Sequence, residues 1–173
     1  MEQANNSSIT QYLTFKVGDE SFGFCIDSVR EIIEYGHLTP VPLMPDFVKG
    51  VINLRGDVVP VIDLAIRLGR VPLAVNKRSC IIILEIEFEQ QQVVVGAAVD
   101  SVCEVMEIDE NDIEAPPSFG ARMRAQFIRG VANVEEQFVV LFHGEKVLSV
   151  EELATLIEQV QPTQDEANSN FNR

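Results

Sequence analysis

Few residues of this chain could carry out chemistry, and the most suggestive are an Asp-Ser pair in each half, at Asp27-Ser28 and Asp100-Ser101. Two aspartates from two related halves of a β protein could share one proton, as the catalytic pair of an aspartic protease does. That pair needs a tight Asp-Ser/Thr-Gly turn, whereas valine follows the serine in both places. Valine cannot supply the glycine conformation, so the pattern argues against a protease.

The same two segments are compatible with two local structures. Ser28 with Glu31, and Ser101 with Glu104, have the spacing of a capping box, which predicts the start of a helix. The second segment, AVDSVCEVMEI, also alternates apolar and polar residues as a strand does. For that segment the pattern leaves both structures open.

Other catalytic and metal-binding sites lack the residues they need. His37 and His143 are the only histidines, and neither stands at a metal-ligand spacing. The chain has no glycine-rich phosphate loop and no Gly-x-Ser-x-Gly nucleophile elbow. The acidic run 104–114 lacks the spacing of an EF-hand, and we interpret it as a solvated loop or hairpin. We therefore predict no enzyme activity and no catalytic, cofactor-binding or metal-binding residues.

Composition limits the class of partner. The 173 residues carry 13 basic and 27 acidic side chains, a net charge of −14 that repels nucleic-acid phosphates and anionic membranes. No apolar run reaches the ~18 residues of a membrane span, and the amino terminus lacks the plan of a secretory signal. We expect a cytoplasmic protein with no direct membrane insertion and no nucleic-acid partner.

The three cysteines give no sign of a disulfide framework. Cys25, Cys80 and Cys103 are widely spaced among apolar neighbours, which predicts free buried thiols.

The predicted secondary structure is mostly β. Short β-branched or aromatic runs alternate with turns, a cadence that predicts an all-β barrel or sandwich. Glu85, Glu87 and Glu89 alternate with apolar residues, which predicts a strand with one exposed face. Only 150–160, VEELATLIEQV, has helical spacing, and it predicts one C-terminal helix with a capping box at Ser149 and Glu152. The β runs are YLTFKV, SFGFCI, VVPVIDL, SCIIILEIEFE, QQVVVGAAV and QFVVLF.

An internal repeat is the most informative feature of the sequence. FVKGVINL at 47–54 returns as FIRGVANV at 127–134, and DSVREI at 27–32 returns as DSVCEV at 100–105. The offsets are 80 and 73 residues, so a loop differs by seven residues between two similar units. Each unit of about 60 to 70 residues is too small to bury a generous core alone, and we expect it to pack against its twin.

Two residue types in the repeat indicate the corner of a barrel. Gly50 and Gly130 suggest a positive φ or a close approach of the backbone. Asn53 and Asn133 suggest side chains that bond local backbone groups.

The copies then diverge at an exposed turn. The first continues as Arg55-Gly56-Asp57, which predicts a turn between two strands, and the second continues as Glu-Glu-Gln. Because loops on a rigid frame carry recognition, Arg55 is a candidate reader of a partner. The pattern alone fits a solvated turn arginine equally well. An integrin ligand is disfavoured, since nothing places the chain outside the cell.

These residues resemble a known family. The run GVINLRGDVVPVIDL, with FGFCIDSVREII before it and PVPLMPDFVKG between them, closely resembles the CheW-like chemotaxis coupling proteins, over roughly Tyr12 to Glu158. The resemblance implies an all-β fold of two interlocked SH3-like five-stranded barrels, and the duplication supports it independently. We expect a flexible amino terminus (1–10), a single CheW-like domain of two barrel subdomains (11–160) with its C-terminal helix, and a disordered tail (161–173).

The resemblance also implies a function and a site. It implies a non-enzymatic adaptor, monomeric in isolation, that couples chemoreceptors to a histidine kinase at receptor arrays on the inner membrane. Its partners would be the coiled-coil cytoplasmic tip of the receptor and the regulatory domain of the kinase. Arg55 and Gly56 match the turn that meets the receptor, and Glu31 matches the acidic partner of that arginine. Positions that line the receptor groove between the barrels are matched by Val29, Lys49, Val102 and Val105.

Two alternatives stay open at this point. A structural or small-ligand barrel could reuse the fold without kinase coupling. A coupling protein could also serve another pathway, such as surface motility. Ala65 stands where relatives often carry a base, and His143 where they often carry an acidic or amide residue. These departures leave the cognate receptor and kinase undefined.

Overall fold

The computed structural model describes residues 8–116, 125–149 and 151–153, and most of them lie in β-strands. The strands are β1 (Ile9–Val17), β2 (Glu20–Cys25), β3 (Val29–Glu34), β4 (Val48–Leu54), β5 (Asp57–Asp63), β6 (Cys80–Phe88), β7 (Gln91–Val99), β8 (Ser101–Asp109), β9 (Ile113–Glu114), β10 (Ile128–Val134) and β11 (Gln137–Phe142). Two one-turn helices, α1 (Leu64–Arg67) and α2 (Gly144–Val147), follow β5 and β11. Turns of 3₁₀ helix occupy Ile26–Ser28, Glu110–Asp112 and Ala125–Phe127.

The strands form two sheets that are built alike. The order β8-β1-β2-β11-β10 of the first sheet matches the order β3-β6-β7-β5-β4 of the second, and β9 adds a short sixth strand to the first. Each sheet contains one parallel pair, β2 with β11 or β7 with β5, at equivalent places. The pairing of strands is therefore the same in the two sheets, as the internal sequence repeat predicts.

Each sheet takes strands from both copies of the repeat. The first copy supplies β1 and β2 to the six-stranded sheet and β3, β4 and β5 to the five-stranded sheet. The second copy supplies the complementary set. The two barrels are therefore interlocked, and neither copy could close a barrel without its twin. This confirms the predicted all-β fold of two interlocked barrels.

The hydrophobic core lies in three places. The largest cluster lies between the sheets, with side chains such as Phe15 from one and Leu84 from the other. A smaller cluster around Leu141 fills the six-stranded barrel, and another around Ile83 fills the five-stranded barrel. Because side chains fill both interiors, the fold argues against a barrel that serves as a container for a small ligand.

The repeated turn has the same backbone in both copies. Leu54 pairs with Asp57 and Val134 pairs with Gln137, so two residues close each hairpin. The φ angles are 54° at Arg55, 93° at Gly56, 51° at Glu135 and 66° at Glu136. Two successive positive φ angles define a type I′ turn, whose twist matches that of the flanking strands.

The glycines of the repeat lie at β-bulges where another segment comes close. The register shifts next to Gly50 in β4 and next to Gly130 in β10. A Cβ at Gly50 would lie 2.6 Å from the carbonyl oxygen of Thr39, and one at Gly130 would overlap the side chain of Ile113. The predicted close approach is confirmed at both positions.

The prediction that a capped helix starts at each of the two Asp-Ser segments is wrong. Residues 29–34 form β3 and residues 101–109 form β8, so the strand alternative for the second segment is correct. Valine and isoleucine favour strands, and pairing with β6 or β1 outweighs a weak local capping signal.

Two other predictions have mixed outcomes. All three cysteines are free, but Cys103 is exposed on β8, an edge strand, whereas Cys25 and Cys80 are half-buried. Residues 151–153 are helical and Leu153 is buried, as the C-terminal helix requires. The rest of that predicted helix, 154–160, and the tail, 161–173, lie outside the described residues.

Candidate partner-binding site

Arg55 and Gly56 form the tip of the β4–β5 hairpin. The side-chain oxygen of Asn53 accepts a hydrogen bond of 2.9 Å from the Gly56 N–H, which holds the turn and confirms the predicted local bond. The equivalent bond of Asn133 stays a prediction. The Arg55 side chain is 67% exposed. The predicted turn between two strands is confirmed, and it presents its arginine to solvent.

Glu31 of β3 forms an ion pair with Arg55. The Nη1 atom of Arg55 lies 2.9 Å from Oε2 of Glu31. Since β3 and β4 are the two ends of the five-stranded sheet, the contact spans the seam where that sheet closes on itself. An exposed ion pair contributes about 0–1 kcal/mol to stability, so this one orients the two side chains more than it holds the fold.

The equivalent positions of the other barrel carry two acids. The 80-residue offset places Glu135 at the position of Arg55, and the 73-residue offset places Glu104 at the position of Glu31. Both glutamates are exposed. One scaffold therefore presents an arginine–carboxylate pair in one barrel and two carboxylates at the equivalent positions of the other.

Lys49 of β4 points toward a buried carboxylate. Its Nζ lies 3.6 Å from Oδ2 of Asp63, which is fully buried, while the Lys49 side chain itself is 31% exposed. Asp63 also accepts hydrogen bonds from the N–H groups of Ala65, Ile66 and Leu73. Lys49 thus balances the charge of a residue that organises the segment after β5. Sequence reasoning missed this role.

The three valines predicted for the groove differ in burial. Val29 of β3 and Val102 of β8 are half-buried and pack against the large cluster between the sheets. Val105 of β8 is 47% exposed. The fold brings Val29 and Val102 to a shared core, and a groove that includes all the predicted positions stays a prediction.

Phe138 at the start of β11 is an exposed aromatic residue that sequence reasoning missed. It is 66% exposed and lines a surface hollow of about 590 Å³. The β1–β2 hairpin and β9 contribute the acidic residues Asp19, Glu20 and Glu114 to the same hollow. The available signal was the alternation in QFVVLF, because Val139 is buried and its neighbour must face outward.

A further charged cluster joins β1 to β10. The Tyr12 hydroxyl donates a hydrogen bond of 3.0 Å to Glu110, which also pairs with Arg129 at 3.0 Å. Burial raises the pKa of Tyr12, so the phenol remains a neutral donor. Burial lowers the pKa of His143, so its imidazole favours the neutral form. The contacts among Tyr12, Glu110 and Arg129 connect β1 and β10 within the six-stranded sheet.

The acidic run 104–114 is not a simple loop. It covers the end of β8, a 3₁₀ turn and β9, and Glu110 in it is paired. Within residues 8–116, 125–149 and 151–153, no group of three or more His, Cys, Asp or Glu could hold a metal ion. In that same part of the chain no helix is long and apolar enough to cross a membrane.

The chain is similar to known proteins along most of its length. A family profile described as "CheW-like domain" matches residues 11–152. The Chemotaxis protein CheW of Klebsiella aerogenes is 35% identical over 144 residues, which are 83% of this chain and 84% of that protein. Protein FrzA of Myxococcus xanthus is 30% identical over 140 residues, 80% of this chain and 84% of that protein. The crystal structure of scaffolding protein TtCheW from Thermoanaerobacter tengcongensis matches with a TM-score of 0.70 and 35% identity, covering 78% of this chain and 84% of that one.

Proposed function

This chain belongs to the CheW-like domain family, and from that premise we propose how its two barrels divide the work of a chemotaxis adaptor. The family is one of scaffold proteins, and this member couples receptors to a kinase in chemotaxis signalling. Its role is positional rather than enzymatic. Each end of the double barrel binds a different partner.

We assign the receptor to the Arg55 end, defined by Arg55, Gly56 and Glu31. The observation that carries this assignment is the ion pair of 2.9 Å between Arg55 and Glu31, which the other barrel replaces with two glutamates. A rigid turn holds the arginine, and half-buried Val29 supplies apolar surface on the same strand as Glu31. An apolar surface with one placed charge pair suits the coiled-coil tip of a chemoreceptor.

We assign the regulatory domain of the histidine kinase to the Phe138 end, defined by Phe138 and the hollow that it lines. Exposed aromatic residues beside a concave surface are typical anchors of protein interfaces. In the family that regulatory domain is itself a double barrel that packs end to end with the coupling protein. Asp19 and Glu114 outnumber Lys16, the one base among the described residues that line the hollow, and Glu20 is paired with Arg70, so the rim keeps a net negative charge that favours a basic partner surface.

Bridging explains how a protein without catalytic groups transmits a signal. Occupation of both ends holds the kinase near the receptor tip, which raises its local concentration. A conformational change of the receptor then biases kinase activity through two interfaces, provided that binding at one end is coupled to binding at the other. The adaptor works in the cytoplasm, as a monomer in isolation, and is recruited to receptor arrays at the inner membrane.

A three-component pull-down tests this function. The tagged chain is incubated with the histidine kinase and receptor membranes from the native cell, beside Arg55→Glu and a control, Lys77→Glu, which reverses an exposed charge in the loop before β6. Wild type and control are expected to capture both partners, and Arg55→Glu only the kinase. Capture of neither partner by a folded wild-type chain would overturn the adaptor assignment.

A further inference from the structure

Arg67, the last residue of α1, lies between the two copies of the repeat. The centre of its guanidinium lies 4.7 Å from the ring centroid of Phe47 and 4.9 Å from that of Phe127. These two phenylalanines hold the same position in the two copies, 80 residues apart. One cation therefore contacts both equivalent rings.

Arg67 also reaches the second short helix. Its Nε donates a hydrogen bond of 2.9 Å to the carbonyl oxygen of Val147, the last residue of α2. Helix α1 follows β5 of the five-stranded sheet, and α2 follows β11 of the six-stranded sheet. A planar guanidinium can stack on aromatic rings while it donates hydrogen bonds in its own plane, which lysine cannot do. The Arg67 side chain thus contacts segments that adjoin both sheets.

Arg70 strengthens the same connection. It donates a hydrogen bond of 3.2 Å to the carbonyl oxygen of Val17, pairs with Glu20 at 2.7 Å, and lies 5.5 Å from the ring centroid of Phe22. All three partners belong to β1 or β2 of the six-stranded sheet. We call Arg67 and Arg70, with these contacts, the arginine junction.

The arginine junction is one-sided. At the 80-residue offset, valines at 147 and 150 take the positions of Arg67 and Arg70 in the second copy. The second copy therefore cannot return the cationic contacts that the first copy makes. Duplication alone would give the same contact twice, so the junction is a specific feature of the first copy.

The junction also lies at the end of a continuous path from the Arg55 end. Strand β5 begins at Asp57, directly after the turn, and ends at Asp63. The Asp63 side chain accepts hydrogen bonds from the first N–H groups of α1, which carries Arg67. One strand and one capped helix thus connect the hairpin to the junction.

We propose that Arg67, assisted by Arg70, is a positioning residue that fixes the two barrels relative to each other, so that a partner bound at the Arg55 end alters affinity at the Phe138 end. The coupling rests on the function proposed above, whereas the fixed geometry does not. The two parts therefore need separate measurements.

Spin-label distances test the fixed geometry without any partner. One label is placed on Cys103 of the six-stranded sheet and one on Glu85→Cys of the five-stranded sheet, both exposed, in a background with Cys25→Ala and Cys80→Ala. Wild type and the control Arg78→Met, an exposed arginine of the next loop, are expected to give one narrow distance distribution. Arg67→Met is expected to increase the width of the distance distribution at least twofold.

A second variant distinguishes loss of the arginine contact from misfolding of the Arg67→Met variant. Phe47→Leu removes one of the two rings while it leaves Arg67 in place, and it is expected to broaden the distribution in the same direction. Circular dichroism and thermal unfolding show which variants are folded. Distributions as narrow as that of wild type in every folded junction variant would overturn the fixed geometry.

Binding measurements test the coupling. The affinity for a receptor-tip fragment is measured with and without a saturating amount of the kinase regulatory domain. In wild type the ratio of the two affinities is expected to differ from one, and in Arg67→Met it is expected to approach one while each separate affinity stays within twofold. Arg67→Lys is expected to leave the ratio of the two affinities close to one, because lysine lacks the planar guanidinium group.

Two results would overturn the coupling. One is a ratio of one in wild type, and the other is the same ratio in wild type and Arg67→Met. Failure of wild type to bind either fragment would instead count against the proposed function, and the spin-label distances would still decide whether Arg67 fixes the barrels.

Discussion

Arg55 Nη1 contacts Glu31 Oε2 at 2.9 Å across the seam between the two outermost strands of the five-stranded sheet. The turn fixes the backbone of Arg55 at a positive φ of 54°, and the edge strand β3 fixes that of Glu31. The equivalent positions in the other barrel carry Glu135 and Glu104, so no such ion pair can form there. The two ends of a nearly symmetric scaffold therefore differ most in charge, at the place where partners are expected to bind.

Arg55→Glu is expected to weaken receptor binding while the fold survives. Glutamate fits this backbone, since Glu135 occupies the equivalent turn position at a φ of 51°. Loss of an exposed ion pair should change the free energy of unfolding by no more than about 1 kcal/mol. Affinity for a receptor-tip fragment should fall at least tenfold, or about 1.4 kcal/mol. Calorimetric titration and denaturant unfolding measure the two effects.

The charge-swapped double variant, Arg55→Glu with Glu31→Arg, is the control for this prediction. It restores an ion pair but exchanges the positions of the two charges. If the receptor contacts Arg55 directly, binding stays lost. Recovered binding would mean that the pair matters only as a seam contact, and unchanged affinity in the single variant would make Arg55 a solvated turn residue.

Gly50→Ala is expected to be much more destabilising than Gly56→Ala. A methyl group at Gly50 would lie 2.6 Å from the Thr39 carbonyl oxygen, and Thr39 is held by two backbone hydrogen bonds to Val51. Crowding of this kind costs at least about 2 kcal/mol. At Gly56 the Cβ would have nothing within 4 Å, and only the φ of 93° is unfavourable, at about 1 kcal/mol. Equal urea midpoints for the two variants would show that the contact with Thr39 is not what requires glycine.

Lys49→Met separates a structural role from a receptor-binding role. The change leaves the buried Asp63 carboxylate with its N–H donors but without its nearby cation, at an expected cost of about 1–3 kcal/mol in the free energy of unfolding. Receptor affinity of the folded variant should stay within twofold of wild type. Lys77→Met, which alters an exposed lysine, is the control. Unchanged stability with lost receptor binding would instead place Lys49 in the groove that the family resemblance implies.

The repeat made the fold predictable, but not the exchange of strands between its copies. FVKGVINL and FIRGVANV, 80 residues apart, predict two similar units. Alternation along a strand shows which face is buried, and it does not show which strand lies next to it. The segments of β3 and β8 were matched as repeats but expected to start helices, because the partner strands β6 and β1 that make them strands come from the other copy.

The candidate site was predictable where the sequence itself differs between the copies. The divergence after Asn53 and Asn133 pointed to Arg55. The contact of Arg55 with Glu31 was implied by the family resemblance alone, since the two residues lie 24 positions apart on strands at opposite ends of a sheet. The inward contact of Lys49 depends on three-dimensional packing, and no local pattern encodes it.

His143→Asn is expected to stabilise the protein. His143 precedes α2 and makes no side-chain bond to its N–H groups, whereas Asp63 at the equivalent position caps α1 with two such bonds. Asparagine is a good capping residue, and we expect a gain of about 0.5–2 kcal/mol at pH 7.5. His143→Gln, which keeps a polar side chain but caps poorly, is the matched control. Thermal unfolding that is equal for both variants would contradict the capping argument.

The same variant is expected to flatten the dependence of stability on pH. Burial lowers the pKa of His143 in the folded state, Lys146 and Arg129 act in the same direction, and Glu145 opposes them. As the pH falls through the unfolded value of about 6.5, the unfolded state takes up the proton first, so the folded state loses stability. Wild type should therefore lose more stability than His143→Asn between pH 7.5 and 5.

Phe138→Ser is expected to weaken binding of the kinase regulatory domain and to leave receptor binding intact. Because Phe138 is 66% exposed, serine opens no core cavity, and the free energy of unfolding should change by less than about 1 kcal/mol. Loss of an aromatic anchor costs about 2 kcal/mol or more in binding, a fall in affinity of at least tenfold. Leu43→Ser, at a fully exposed loop leucine, is the control. Equal losses in both variants would show that the contact is not specific to the Phe138 end, and a loss of receptor binding instead would reverse the assignment of the two ends.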